Sequence, residues 1–150
     1  MGTGIEADIA VFENNLSSAI DDVMQKDIEN AVKSAISSHV DSDVYKAYTP
    51  QFENRRGTSL GSGGIGDTGA MESDYDSATK TLIVRDKAVW QQLWGGSYPS
   101  SDLADAVEKG TAKFNMKKAG KRPFAKNAEK DYGKQHFDLD LQNGLKRHGF

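Results

Sequence analysis

The first 40 residues carry the pattern that most restricts how this chain folds, because apolar side chains recur there in steps of three and four. The stripe consists of Ile5, Ile9, Phe12, Leu16, Ile20, Val23, Ile28, Val32, Ile36 and Val40. Met24 bridges its one step of five, and such spacing is typical of one face of an α-helix. The stripe is longer than most globular helices, so it predicts one long helix or two helices with a break near Asp21–Asp22 or Asp27. Its apolar face must be buried, either in the core of the subunit or against a helix of another subunit.

The composition indicates one water-soluble domain. A chain of 150 residues is long enough for a single hydrophobic core. The absence of cysteine excludes disulfides, thiolate metal sites and a cysteine nucleophile. No segment approaches the roughly 20 apolar residues that a membrane-spanning helix needs. We therefore expect neither a membrane partner nor redox chemistry.

The charges are distributed unevenly along the chain. Residues 1–53 contain ten acidic residues against three lysines, whereas residues 109–134 contain nine basic residues against Glu129 and Asp131. One interpretation is that these are two solvated faces of a single domain. The other is head-to-tail contact between identical subunits, in which the acidic surface of one meets the basic surface of the next.

The helical pattern ends at Val40, and a glycine-rich segment follows it. Pro50 prevents the aromatic run after Asp43 from continuing as a helix. Six glycines lie between Arg55 and Gly69, which excludes a helix or a central strand there. Long loops of this kind are usually functional lids, binding loops or disordered linkers, and of these we predict an extended binding arm over residues 44–69.

The remainder predicts a small sheet and further helices. Residues 70–75 and 80–85 are expected to pair as a hairpin across the turn at residues 76–79. A short helix is expected from Ser100 or Ser101 to Gly110, and a final helix with Pro123 in its first turn. The alternating residues 137–141 are compatible with a strand as well as with a helix.

These elements predict an α+β fold in a single domain, 1–150. A long N-terminal amphipathic helix (1–43) and a C-terminal helix pack on a small antiparallel sheet. The arm (44–69) separates the N-terminal helix from the α+β core (70–150).

Sequence patterns for catalysis and cofactor binding are weak. Residues 61–66 match the glycine pattern of dinucleotide-binding loops, but no apolar strand precedes them and no helix follows. His39, His136 and His148 are scattered, and none has a carboxylate at the spacing of a zinc hydrolase. We therefore predict no catalytic residue, no cofactor and no metal, and a protein that is not an enzyme.

The basic run from Lys113 to Lys134 has two interpretations. Phe114, Phe124 and Tyr132 lie among its lysines, as in surfaces that bind nucleic acid through charge and stacking. The alternative is a solvated lysine-rich face with buried aromatic residues, which the net acidic chain favours.

Four local patterns form a further signature. They are Val44-Tyr45-x-x-Tyr48-x-Pro50-x-Phe52-x-x-Arg55-Arg56-Gly57 with Gly63-Gly64-Ile65-Gly66-Asp67, then Thr68-Gly69-Ala70-Met71, then Val107-Glu108-Lys109-Gly110-Thr111, and Arg122-Pro123-Phe124 with Ala128. Together and in this order they resemble the tail-completion and head-tail joining (neck) proteins of long-tailed bacteriophages. The resemblance covers most of the chain from Val44 onward.

The resemblance implies a structural virion protein that assembles in the host cytoplasm. Such a protein forms a ring, a hexamer or a dodecamer, at the head-tail interface, or it completes the proximal end of the tail. Its implied partners are copies of itself, other neck, portal-side or tail proteins, and DNA that passes through the channel without sequence-specific contact.

The resemblance also implies a set of residues that bind neighbouring subunits or other partners. In the arm, aromatic side chains are expected to anchor in apolar pockets, and two arginines to pair with carboxylates of a neighbour. The alternative is a loop that folds back on its own domain. The expected binding residues are Tyr45, Tyr48, Pro50, Phe52, Arg55, Arg56, Gly63, Gly64, Ile65, Glu108, Arg122 and Phe124.

Overall fold

The computed structural model describes residues 3–46, 64–88, 90–91, 97–98, 100–110 and 120–150. They form the predicted α+β fold. The helices are α1 (Thr3–Val23), α2 (Glu29–His39), α3 (Ser100–Lys109), α4 (Phe124–Gln135) and α5 (Phe137–Arg147). The strands are β1 (Met71–Asp76), β2 (Thr81–Asp86), β3 (Trp90–Gln91) and β4 (Ser97–Tyr98).

The N-terminal stripe forms one long helix without a break. α1 and α2 are joined by a π-helical segment, Met24–Ile28, and a second one, Val40–Tyr45, extends α2. In a π-helical turn the hydrogen bonds run from residue i to i+5, which matches the five-residue step between Val23 and Ile28. Both side chains therefore stay on the buried face, at 0% and 2% exposure.

Burial along this helix is uneven. Its C-terminal half is buried, as the stripe predicts. Near the N-terminus, Ile5, Ile9 and Phe12 are 76%, 51% and 57% exposed. The interpretation that the subunit core buries the whole stripe is thus wrong for these first turns. The elements that cover α2 do not reach the beginning of α1.

The predicted hairpin is confirmed, displaced by one residue. β1 pairs antiparallel with β2 from Met71↔Asp86 to Asp76↔Thr81. Lys80 belongs to the turn, where its backbone has φ +54°. Two hydrogen bonds of 2.6 Å, from Tyr75 Oη and Lys80 Nζ, join the hairpin to Asp21 Oδ1 in α1. A second short antiparallel pair, β3 with β4, was not predicted.

The C-terminal region contains two helices. The chain turns at His136, which has φ −125°, and α5 follows at once. The strand alternative for residues 137–141 is wrong, because Phe137 and Leu141 lie one helical turn apart and both pack against the core. The predicted helix from Ser100 to Gly110 is confirmed as α3.

Within the described residues, the core has two clusters along the long helix. One gathers the end of α2 with residues from β1, α3 and α4, among them Val40, Val107 and Phe124. The other surrounds the first π-helical segment and includes Ile28 and Tyr132. Among the described residues, no helix is both long and apolar enough to cross a membrane.

Candidate functional site

The structure describes half of the residues that were predicted to bind partners. These are Tyr45, Gly64, Ile65, Glu108, Arg122 and Phe124. The other six, Tyr48, Pro50, Phe52, Arg55, Arg56 and Gly63, lie outside the described residues. The first six meet around the C-terminal end of the long helix, in a region that we call the junction.

One side of the junction is the contact between the long helix and residues 64–66. Tyr45 Oη donates a 2.8 Å hydrogen bond to the carbonyl oxygen of Ile65. Ser37 Oγ donates a buried 2.7 Å bond to the carbonyl oxygen of Gly66. Two consecutive carbonyl groups are therefore held against the helix. The predicted arm is thus described only at its ends, where residues 44–46 and 64–69 are folded.

The position of Gly66 requires glycine. Its backbone has φ +89°, and a Cβ atom there would lie 2.9 Å from Cγ1 of Val40. The left-handed conformation and the close contact both exclude a larger residue. This explains one glycine of the glycine-rich segment by packing on its own subunit.

Arg122 and Phe124 connect α4 to the rest of the core. Arg122 is only 6% exposed. Its backbone nitrogen donates to the carbonyl oxygen of Val107 at 3.3 Å, and its Nη1 donates to that of Val44 at 3.5 Å. This places a guanidinium beside the carbonyl end of the long helix, where the helix dipole favours positive charge. Phe124 is 1% exposed and fills the adjoining core.

Glu108 caps the N-terminus of α4 from a different helix. Its Oε2 accepts from the backbone nitrogen of Ala125 at 3.0 Å, and its Oε1 from that of Lys126 at 3.3 Å. These N–H groups have no partner within α4, and a carboxylate is the favoured group at this end of a helix. In the subunit, Glu108, Arg122 and Phe124 therefore make structural contacts, and their binding of partners stays a prediction.

His39 links α2 to α4 between two carboxylates. Its Nδ1 lies 3.1 Å from Asp43 Oδ2, and its Nε2 lies 3.2 Å from Asp131 Oδ2. Asn127 donates a 2.9 Å bond to the same Asp43 oxygen. Burial raises the pKa of Asp43, but hydrogen bonds from Asn127, Ser42 and His39 outweigh it and leave that pKa below its usual range. Sequence reasoning missed this network because its two halves, His39 with Asp43 and Asn127 with Asp131, are separated by 84 residues.

The half-buried carboxylate of Asp86 joins the end of β2 to the junction. It accepts from the backbone nitrogen of Ala88 at 2.7 Å and from that of Gly66 at 3.4 Å. Burial nevertheless raises the pKa of Asp86 above the usual range. In the described parts of the chain, no group of three or more His, Asp or Glu side chains is arranged to hold a metal ion.

An apolar groove of about 710 Å³ lies between β2 and α4. Its floor is the long helix, including Ile28 and Val32, and one wall is Leu82–Val84 of β2. The other wall comes from α4, where Ala125, Lys126, Glu129 and Gly133 are exposed and line the groove. Its volume lies in the range of clefts that bind ligands or side chains, roughly 300–1,000 Å³.

The α4 side of the groove carries charged residues of both signs, of which three are lysines. Lys126 lines the groove, and Lys130 and Lys134 follow at successive i+4 positions, where helix side chains are neighbours. All three residues are exposed. The groove thus combines an apolar interior with the charged pair Lys126 and Glu129, and two further lysines lie beyond its lining on α4.

The exposed N-terminal part of α1 is a second apolar surface, which we call the α1 stripe: Ile5, Ile9, Phe12 and the half-buried Leu16. The ring of Phe150 packs edge-on against Phe12, with a centroid distance of 5.7 Å. Three exposed acidic residues, Glu6, Asp8 and Glu13, flank the stripe. The sequence pattern identified these apolar positions, but only the tertiary structure reveals that the subunit leaves them exposed.

Comparison with known proteins gives one family. The profile of the YomN family matches residues 8–147, which is nearly the whole chain. No curated protein and no solved structure matches it. The matched range includes both core clusters and most of the α1 stripe, so this chain belongs to the YomN family.

Proposed function

We propose that this chain is a structural virion protein of a tailed bacteriophage. It forms a homo-oligomeric ring at the head-tail interface (neck), or it completes the proximal end of the tail. It acts by protein-protein assembly and not by catalysis. The observation that carries the proposal is the ordered set of four motifs that resembles neck and tail-completion proteins.

Two further observations support this proposal. Membership of the YomN family is compatible with a phage-related origin of this chain. The subunit also exposes Ile5, Ile9 and Phe12 on one helix face, and exposed apolar patches mark sites of association. A protein that works inside an assembly needs such surfaces, whereas a solitary subunit would lose solubility because of them.

The proposed location is the assembled virion, after assembly in the host cytoplasm. The proposed partners are further copies of the chain and the adjoining neck, portal-side or tail proteins. DNA would pass through the centre of the ring without sequence-specific contact.

The test is to disrupt the gene in a phage that encodes this chain. We expect DNA-filled heads and separate tails in electron micrographs, and restoration of joined particles when the chain is supplied in trans. Intact infectious particles without the chain would reject the proposal.

A second candidate function is nucleic-acid binding. The observation in its favour is the row of exposed lysines on α4: Lys126, Lys130 and Lys134. It predicts binding to duplex DNA that weakens steeply with salt, and loss of binding when the three lysines are changed to glutamine. An absence of binding at low ionic strength would eliminate it.

A further inference from the structure

The α1 stripe and the groove are complementary in chemistry. The stripe is a row of exposed apolar side chains on a rigid helix, and the groove has an apolar floor formed by Ile28 and Val32. An amphipathic helix that lays its apolar face in a groove is a common mode of protein recognition.

The net charges of α1 and α4 are opposite in sign. Residues 3–25 contain five acidic residues and no lysine or arginine, and Glu6, Asp8 and Glu13 beside the stripe are exposed. The α4 helix beside the groove carries Lys126, Lys130 and Lys134 against Glu129 and Asp131, so it is net positive. Two α1 helices packed on each other would bring like charges together, whereas α1 in the groove would bring opposite charges together.

A subunit cannot place its own stripe in its own groove. The stripe residue Ile9 and the groove residue Ile28 lie on the same uninterrupted helix, 19 residues apart. At 1.5 Å per residue this is a separation of roughly 28 Å along the axis. The occupant must therefore come from another molecule.

We propose that the α1 stripe of one copy docks in the groove between β2 and α4 of a second copy. The two surfaces are different, so the contact is head-to-tail, and its repetition closes a ring or extends a filament. This inference rests on the proposed function and specifies the interface between neighbouring subunits of the ring.

Disulfide cross-linking tests the geometry, because the natural chain has no cysteine. The double variant Ile9→Cys, Ala125→Cys places one thiol on the stripe and one on the groove wall. Mild oxidation is expected to give a ladder of covalent oligomers. The matched control is Asn14→Cys, Ala125→Cys, since Asn14 is exposed on the opposite face of α1. No ladder, or an equal ladder from the control, overturns the inference.

The single variant Ile9→Cys tests the competing arrangement. If two stripes packed on each other, this variant alone would give a covalent dimer in high yield. Head-to-tail docking instead predicts that it stays largely uncross-linked. An efficient dimer would overturn the inference in favour of helix-helix pairing.

Mixing two blocked variants gives an independent test. Ile9→Asp places a negative charge in the middle of the α1 stripe and should prevent it from docking. Ala125→Glu adds a bulky negative charge to the groove wall. Each variant alone is expected to self-associate at least about tenfold more weakly than the natural chain, as for a central interface residue. An equimolar mixture should form one-to-one heterodimers, because each partner keeps the complementary surface. A mixture that stays monomeric overturns the inference.

Two controls separate this result from misfolding and from failure of the proposed function. Both substituted positions are exposed, so circular dichroism and thermal unfolding should match the natural chain. In the phage, normal particles without the chain would reject the proposed function. Particles that need the chain but are fully restored by Ile9→Asp would reject only the docking contact.

Discussion

Gly144 of α5 packs directly on Val23 of α1, because a Cβ atom at Gly144 would lie 2.5 Å from Cγ1 of Val23. Val23 is completely buried. α5 is therefore seated where the long helix enters its first π-helical segment, at a distance that only glycine permits.

Gly144→Ala is expected to destabilise the fold. Overpacking of a buried contact costs about 1–3 kcal/mol, which exceeds the gain in helix propensity from alanine. Urea unfolding followed by circular dichroism measures the change. The matched control is Gly133→Ala in α4, where an added Cβ meets no atom within 4 Å. That control is expected to gain about 0.5–1 kcal/mol, and equal stability of the two variants would contradict the close packing of α5.

Glu108→Ala is expected to lower the free energy of unfolding by about 1 kcal/mol, because two N–H groups at the start of α4 lose their acceptor. Glu108→Gln should recover part of this loss, since an amide oxygen still accepts. Asp105→Ala serves as control, because its ion pair with Lys109 is exposed and contributes little. If the Glu108 and Asp105 variants are equally stable, the cap is not formed in solution.

Tyr45→Phe tests whether the Tyr45 hydroxyl has a structural role in the subunit or a role in assembly. It removes the hydrogen bond to the carbonyl of Ile65 while keeping the ring. The expected loss of unfolding free energy is about 0.5–1.5 kcal/mol, measured by chemical denaturation. An unchanged stability combined with defective particle assembly would instead place the hydroxyl in contact with a partner.

Asp21→Asn is expected to weaken the attachment of the hairpin in a pH-dependent way. Hydrogen bonds from Lys80 and Tyr75 lower the pKa of Asp21, while burial and the hydrogen bond to Asp21 raise the pKa of Tyr75 to about 12. A carboxyl whose pKa is lowered by folding adds stability above its unfolded pKa, and this contribution is lost as the pH falls through the folded pKa.

The stability difference between Asp21→Asn and the natural chain should therefore be full at pH 7 and shrink as the pH falls below the ordinary carboxyl pKa of 3.8. Unfolding curves at a series of pH values measure it. Asp74→Asn, at an exposed position of the same hairpin, is the control. A difference that does not change with pH would mean that the ion pair with Lys80 contributes nothing to stability.

Local sequence patterns were sufficient to predict the long helix and the hairpin. The three-to-four spacing from Ile5 to Val40 predicted the long helix, and the strand-like run before Arg85 predicted the hairpin. These patterns are predictive because the geometry of a helix or a strand fixes which side chains share a face. The alternation at residues 137–141 was ambiguous because five residues satisfy both periods, and packing of Phe137 and Leu141 on the core selected the helix.

The predicted binding residues at the junction were identified through the family resemblance. Their structural role in the subunit depends on contacts between residues far apart in the chain. Glu108 reaches the backbone of Ala125, and Arg122 reaches the carbonyl of Val44. Pairings across 17 and 78 residues leave no trace in local spacing.

The sequence by itself determined that the N-terminal helix has one apolar face with acidic residues beside it, because helical geometry places those side chains together. Only the tertiary structure decided where that face is covered. The hairpin and α4 pack on α2 and leave Ile5, Ile9 and Phe12 exposed, since burial depends on which elements fold back along the helix. The groove has the same origin, because its lining comes from three separate parts of the chain that meet only in the folded subunit.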